Sequence, residues 1–199
     1  QAVAQRITPT VFSMSLARAL SAAAVASGVK VPVHIKLDTG MNRLGIKAYE
    51  DPVSVMEAVA SLPGIEIEGV FTHLALRDRD SDRKQFALYQ EILGNCAKIG
   101  LKTGISHVCD SIGTVRYPKF RLDMVRVGAA IFGARPYRMG PKYDTFRFPP
   151  AGTFVTHIAR LRRLREGEMV SYDSSWKAPA GGTLVATLPA YLNALSGKG

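Results

Sequence analysis

The chain has 199 residues, 47% of them hydrophobic, with 26 Lys and Arg against 16 Asp and Glu for a formal net charge of +10. That is enough apolar material for one domain or one and a half, and no run of roughly 18 apolar residues exists to span a membrane. Two cysteines, Cys96 and Cys109, form no disulfide framework and no C-x-x-C pair, so a reduced, cytosolic protein is the expectation.

The opening residues, QAVAQRITPTVFSMS, lack the charged start, apolar middle and small-residue cleavage pattern of a secretory signal. The positive charge raises the question of nucleic acid, because clustered Lys and Arg neutralise phosphates. Here the basic residues are scattered. The densest cluster, Arg160 to Arg165, is interrupted by Leu161 and Leu164, which are expected to pack inward. With no nucleic-acid motif beside it, neither nucleic acid nor a membrane is expected as a partner. No His/Cys spacing marks a metal site.

Ser15 to Ser27 has helix-forming composition with apolar residues at helical spacing, and Gly28 stops it. Val31 to Leu37 is the first clear strand, rich in β-branched and aliphatic residues. Asp51 and Pro52 open a helix through Val53 to Ser61, as N-cap and first-turn residue. Strand Ile65 to Thr72 ends at His73, helix Ser81 to Ile99 stops at Gly100, and strand Ile105 to Val108 ends at Cys109-Asp110-Ser111. Met124 to Val127 reads as another short strand before the turn Gly128-Ala129-Ala130. Strand alternating with helix argues for a parallel sheet with crossovers, in a barrel or a doubly wound sheet. No G-x-G-x-x-G follows a strand, which counts against a Rossmann dinucleotide domain. A Pro/Gly-rich connection around 134–152 gives way to Phe154 to Leu164, Val170 to Tyr172 and Thr183 to Leu188, which read as strands of a second, mostly β domain.

The most informative stretch runs from Val33 to Ile46, VHIKLDTGMNRLGI: a buried strand passing into a polar turn with Lys36 and Arg43 at its mouth. After a barrel strand such a turn is where ligands bind, although two cations there are equally compatible with solvation. HIKLDTGMNRLGI resembles a signature of the alanine racemases, enzymes that use pyridoxal 5′-phosphate (PLP) to interconvert L- and D-alanine. FTHLA (Phe71 to Ala75), DSIGTVRYP (Asp110 to Pro118), RLDMVRVGAAIFG (Arg121 to Gly133) and EGEMVSYDSSW (Glu166 to Trp176) continue the resemblance in the family's order. It implies an α/β fold: a partial (β/α)8 TIM-like barrel, with residues 1–146 the C-terminal part of a PLP-binding barrel and 147–199 the N-terminal part of a β domain. It also implies a cytoplasmic isomerase acting on a small amino acid, serving D-alanine supply for cell wall biosynthesis. Serine or a broader substrate range is the close alternative, and a non-catalytic PLP-barrel fragment the distant one.

By the resemblance, Ser111 with the amides of Gly128 and Ala129 holds the cofactor phosphate, a task suited to a hydroxyl beside backbone N–H groups. Arg126 faces the pyridine nitrogen; a guanidinium keeps its proton, so the carbanion is less delocalised into the ring, as suits a racemase. His73 orients Arg126. Lys36 and Arg43 lie near the phenolic oxygen, with Lys36 a carbamylation site in many members. Tyr172 is the base on one face of the substrate, donated across a homodimer whose subunits share the active site. A tyrosine titrates near about 10 and must be lowered to serve. Asp110 stands where the family has Asn, and a carboxylate close to phosphate requires neutralisation. Laid against the family, the chain is expected to begin after the strand bearing the Schiff-base lysine, and Leu188-Pro189-Ala190-Tyr191 skips the family's G-Y-A-D-G segment. The 199 residues are therefore expected to be inactive alone.

Overall fold

The computed structural model describes residues 2–133, 149–152, 157–170, 174 and 176–187, and the chain divides into two compact units, Gln1–Ala151 and Gly152–Gly199. The first unit alternates strand and helix: β1 (Thr10–Val11), α1 (Met14–Ala26), β2 (Val31–Asp38), the two-residue β3 (Ile46–Lys47), α2 (Pro52–Ala60), β4 (Ile65–Phe71), α3 (Arg79–Lys98), β5 (Ile105–His107) and α4 (Ser111–Arg116).

The helices start where local chemistry places them. The Ser13 hydroxyl accepts from the Leu16 amide, Asp51 from Ser54 and Asp78 from Ser81, each satisfying an N–H that a first turn leaves orphaned. The sheet order is β1-β2-β4-β5, all parallel, and Met124 bridges His107 in parallel as the next stave. Spatial order thus follows chain order with no reversal among the described strands. A doubly wound sheet reverses at its switch point, whereas successive staves of a (β/α) barrel climb in this way. Helix α2 packs between α1 and α3.

Strand parity separates core from interior. Val31, Val33, Ile35 and Leu37 of β2 are buried and join Met56, Val59 and Val70 in the apolar core beneath the helices. The alternate residues His34 and Lys36 stand on the opposite face. Up to Val33↔Ile67 the β2–β4 register is regular; it then slips, so that His34 pairs Gly69 and Lys36 pairs Phe71. The slip is a bulge that places two successive residues, Glu68 and Gly69, on the face His34 occupies.

The loop after β4 is tied down by α3. The fully buried Asp82 accepts from the Leu76 amide at 3.0 Å and from the Tyr117 hydroxyl at 2.6 Å, and Gln85 accepts from the Ala75 amide at 3.1 Å.

In the second unit the elements formed by described residues include four short strands. β6 (Arg160–Leu164) pairs antiparallel with β9 (Thr183–Thr187), and β7 (Met169–Val170) with β8 (Trp176–Lys177).

Three sequence expectations need correction. Met124–Val127 is one bridging residue followed by extended chain, because its amides serve other ends: Arg126 N–H donates to Cys109 O. Ser111, expected at the end of the Ile105 strand, instead opens a short helix, Ser111–Arg116, capped by Asp110. Leu161 is 55% exposed while Leu164 is buried, so only one of the two leucines packs inward.

Asp82→Ala strips acceptors from a buried amide and a tyrosine at once. It should lower unfolding free energy by about 2–4 kcal/mol in urea, against about 1 kcal/mol for Tyr117→Phe; equal effects would remove Asp82 from this role.

Candidate active site

Parallel barrel strands deliver their side chains to the loops at their carboxyl ends, and here those of β2, β4, β5 and the Met124 stave converge. The convergence begins with the turn after β2. The Asp38 carboxylate accepts from the Gly40 and Asn42 amides, both at 3.0 Å, and pairs with Lys47 at 3.5 Å. Burial opposes its ionisation, but those amides and the cations Lys47 and Lys36 outweigh burial and hold it below the usual carboxylate range. The turn folds β3 back onto β2 only because Gly45 has no side chain: a Cβ there would stand 2.7 Å from the Asp38 nitrogen. Thr72 then locks the ends of β2 and β4, donating to Leu37 O and sharing a hydrogen bond with Thr39, both at 2.9 Å.

Arg126 is the centre. Its Nη2 donates to Thr72 O at 2.8 Å, Val108 O at 3.0 Å and His73 Nδ1 at 3.2 Å. Its Nη1 donates to His107 Nδ1 at 2.6 Å, and the guanidinium lies 4.9 Å from the Phe71 ring centre. Nε–H has no acceptor among the described residues, leaving a donor for a ligand. His73 accepts at Nδ1 and therefore carries its proton on Nε2, 3.9 Å from Asp110. Burial, reinforced by Arg126, Arg43 and Lys36 and opposed by Asp110, lowers its pKa and keeps it neutral. Asp110 spends its other oxygen on the Gly113 amide at 2.8 Å. It is both a helix cap and the neighbour of a histidine, which gives this carboxylate partners where the sequence left it facing an anion.

The Ser111 hydroxyl sits beside the last turn. The Gly128 amide donates to its Oγ at 3.0 Å and the Ala130 amide at 3.4 Å. Two backbone donors and a hydroxyl thus meet at one point; the Ala129 amide is not among them. Lys36 is buried, donates to Leu37 O at 2.7 Å and lies 5.6 Å from the Phe71 ring centre. Burial, aided by Arg126 and Arg43 and opposed by Asp38, lowers its pKa to about 8. Arg43 is exposed and makes no hydrogen bond or ion pair among the described residues; its charge is felt by Lys36 and His73. Tyr172 lies outside the described residues.

Two residues of the cluster were not singled out from the sequence, His34 and His107. For His34 the signal was parity, since it stands two residues before Lys36 on a strand whose alternate positions face inward; His107, at the end of the three-residue β5, carried no such signal. A 490 Å³ cavity between Ala2 and Pro32, and another of 310 Å³ between Ala48 and Asn95, lie at the start of β2 and among the outer helices. Neither holds this convergence of charged groups. Among the described residues no His, Cys, Asp and Glu group is arranged to hold a metal ion, and no helix is long and apolar enough to cross a membrane.

Residues 1–136 match the family model for the alanine racemase N-terminal domain. The chain belongs to the alanine racemase family. It is 31% identical to the alanine racemase of Desulforamulus reducens, over 100% of this chain and 55% of that one. With that of Desulfosudis oleivorans it shares 33% identity, over 98% and 52%. The solved alanine racemase of Clostridium difficile 630 superposes with a TM-score of 0.75 at 28% identity, covering 94% of this chain and 49% of that one. The chain thus spans about half the length of the curated alanine racemases it matches, and the staves described above are a sector of the family's α/β barrel.

Lysine NMR should separate Lys36 from every solvated lysine. Its Cε resonance should titrate at about 8 against the ordinary 10.5, and the signal should vanish in Lys36→Met; a midpoint at the ordinary value would mean that the side chain is hydrated.

Proposed function

We propose that this chain handles the cofactor and the protons of a PLP-dependent racemase that interconverts L- and D-alanine. The observation that carries the reading is the four-acceptor clamp on Arg126 next to the donors that meet at Ser111. A dianionic phosphate suits a point where the Gly128 and Ala130 amides already converge on an oxygen, with the Ser111 hydroxyl as a further donor and the Ala129 amide one residue away. When bound, PLP draws electrons from the substrate's Cα and makes its proton acidic.

The chain's own residues set the terms of that chemistry. Arg126 carries a proton it does not release, so it donates a hydrogen bond to a ring nitrogen without protonating it. His73, neutral and bonded to Arg126, holds the guanidinium in plane. Tyr172 is the base on one substrate face, contributed across a homodimer, and a hydroxyl that titrates near about 10 must be lowered to serve there. Arg43 serves the phenolic oxygen. Lys36, with its pKa lowered to about 8, has a larger minority of neutral amine to offer carbon dioxide near neutral pH than an ordinary lysine, and a carbamate there would turn a cation into an anion able to hold Arg43. Residues 147–199 begin the β domain that carries Tyr172, and the cytoplasm is the setting. Alanine is preferred to serine on the names of the relatives.

None of the lysines stands in the family's anchoring motif, so a polypeptide confined to these 199 residues should not racemise alanine. In the dimeric enzyme, loss of the Cα deuteron from labelled L-alanine reports turnover. Arg126→Lys should lower kcat roughly 100-fold, the scale of a lost preorganised donor, because the charge survives and the fork does not. Tyr172→Phe should abolish racemisation in both directions while Cα proton exchange of one enantiomer and PLP absorbance persist. Full activity in both variants would overturn the reading, and PLP binding without turnover in the unmutated protein would favour a non-catalytic barrel.

A further inference from the structure

The face of the sheet that carries Arg126 also carries a run of groups that starts at His107, one of the four acceptors of Arg126, and continues into residues the racemase reading does not use. His107 Nε2 lies 2.7 Å from His34 Nδ1, and His34 Nε2 lies 3.2 Å from Glu68 Oε2. These residues come from β5, β2 and β4, so the run crosses three staves. Its construction is visible in the backbone. β4 separates His34 from His107, and its residue between them is Gly69, where an added Cβ would stand 2.6 Å from His34 Cε1. Only an absent side chain lets the His34 ring lean across to β5. The bulge that aligns Gly69 with His34 also turns Glu68 to the same face.

Chemistry leaves one arrangement of protons. A guanidinium donates and never accepts, so the 2.6 Å contact from Arg126 Nη1 makes His107 Nδ1 an acceptor. Neutral His107 then carries its proton on Nε2 and donates to His34 Nδ1. His34 in turn carries its proton on Nε2 and donates to the Glu68 carboxylate. A second proton on either ring would set N–H against N–H. Burial, then the charge of Arg126, opposes such a proton on His107 and takes its pKa down to about 3.

We propose that Glu68, His34 and His107 form a one-way hydrogen-bonded line that positions Arg126, anchoring its Nη1 edge from a half-exposed carboxylate so that the Nε edge stays turned to the ligand. His34, His107 and Glu68 are positioning residues: none need touch the cofactor. The line is defined without any ligand, and it deepens the racemase reading only in what Arg126 is aimed at. Stacking of His107 on Phe71, at 4.6 Å between centres, holds the ring flat while the line sets its rotation.

Nitrogen NMR of histidine-labelled, cofactor-free protein tests the proton order directly. Both His34 and His107 should show protonated Nε2 and bare Nδ1, and the Arg126 Nη groups should give resolved, slowly rotating signals. His34→Leu should collapse the Arg126 signals and weaken PLP binding about 10-fold, the scale of a lost bond to a charged group. His34→Gln, which can still accept from His107 and donate to Glu68, should stay within about twofold. Glu68→Leu, at a side chain 43% exposed, guards against misfolding and should loosen the same Arg126 signals. A protonated Nδ1 on His107, or His34→Leu indistinguishable from the unmutated protein, overturns the line and leaves the racemase reading standing. The expected protons in a protein that binds no PLP would sink the racemase reading and leave the line.

Discussion

A guanidinium largely withdrawn from water must be given acceptors, or its burial costs more than any packing returns. Arg126 meets that demand with two carbonyls, Thr72 O and Val108 O, and two imidazoles, His73 and His107. The acceptors arrive from the end of β4, the end of β5 and the loops beyond them. The cation therefore cross-links the strand ends that form the site. Lys36, Arg43 and Arg126 gather in one region with few carboxylates, and burial, reinforced by the charge of Arg126, keeps His73 and His107 neutral there. Such a region suits an anionic, planar ligand with a ring nitrogen to satisfy.

The same side chains would be useless in another register. Period-two alternation sends Val33, Ile35 and Leu37 beneath the helices and His34 and Lys36 inward. The bulge opposite Val33 and His34 re-phases β4, so that Gly69 and Phe71 meet His34 and Lys36 in place of Glu68 and Val70. Without that slip the apolar Val70 would face the charges. The Asp38 turn does comparable work at the other end, using two amides and Lys47 to keep a buried carboxylate ionised. Structure and site electrostatics share the same few residues.

The helices were legible because each carries its own punctuation. Asp51 and Pro52 open α2, and Gly28 and Gly100 follow the ends of α1 and α3, whereas the caps Ser13 and Asp78 were not read from the sequence. Long strands were legible from β-branched runs. The two-residue strands β1, β3 and β8 were not, since two residues carry no period and their pairing depends on partners far along the chain. Helix α4 was hidden for the opposite reason: six residues around Gly113 have poor propensity, and Asp110 and tertiary packing hold them.

Of the site, the sequence by itself determined the inventory: family motifs in order, Ser111 and Gly128 near strand ends, Arg126 in an apolar frame, Lys36 and Arg43 at the mouth of a polar turn. Such features are local, written in residue type and spacing. Only the tertiary structure decided who meets whom. That Ala130 and not Ala129 donates beside Gly128 to Ser111, that Asp110 caps a helix, and that His107 accepts from Arg126 depend on distances across strands remote in sequence. A hydrogen bond forms or fails within a few tenths of an ångström. Bulges and glycines such as Gly69 set those tenths, and no linear spacing encodes them.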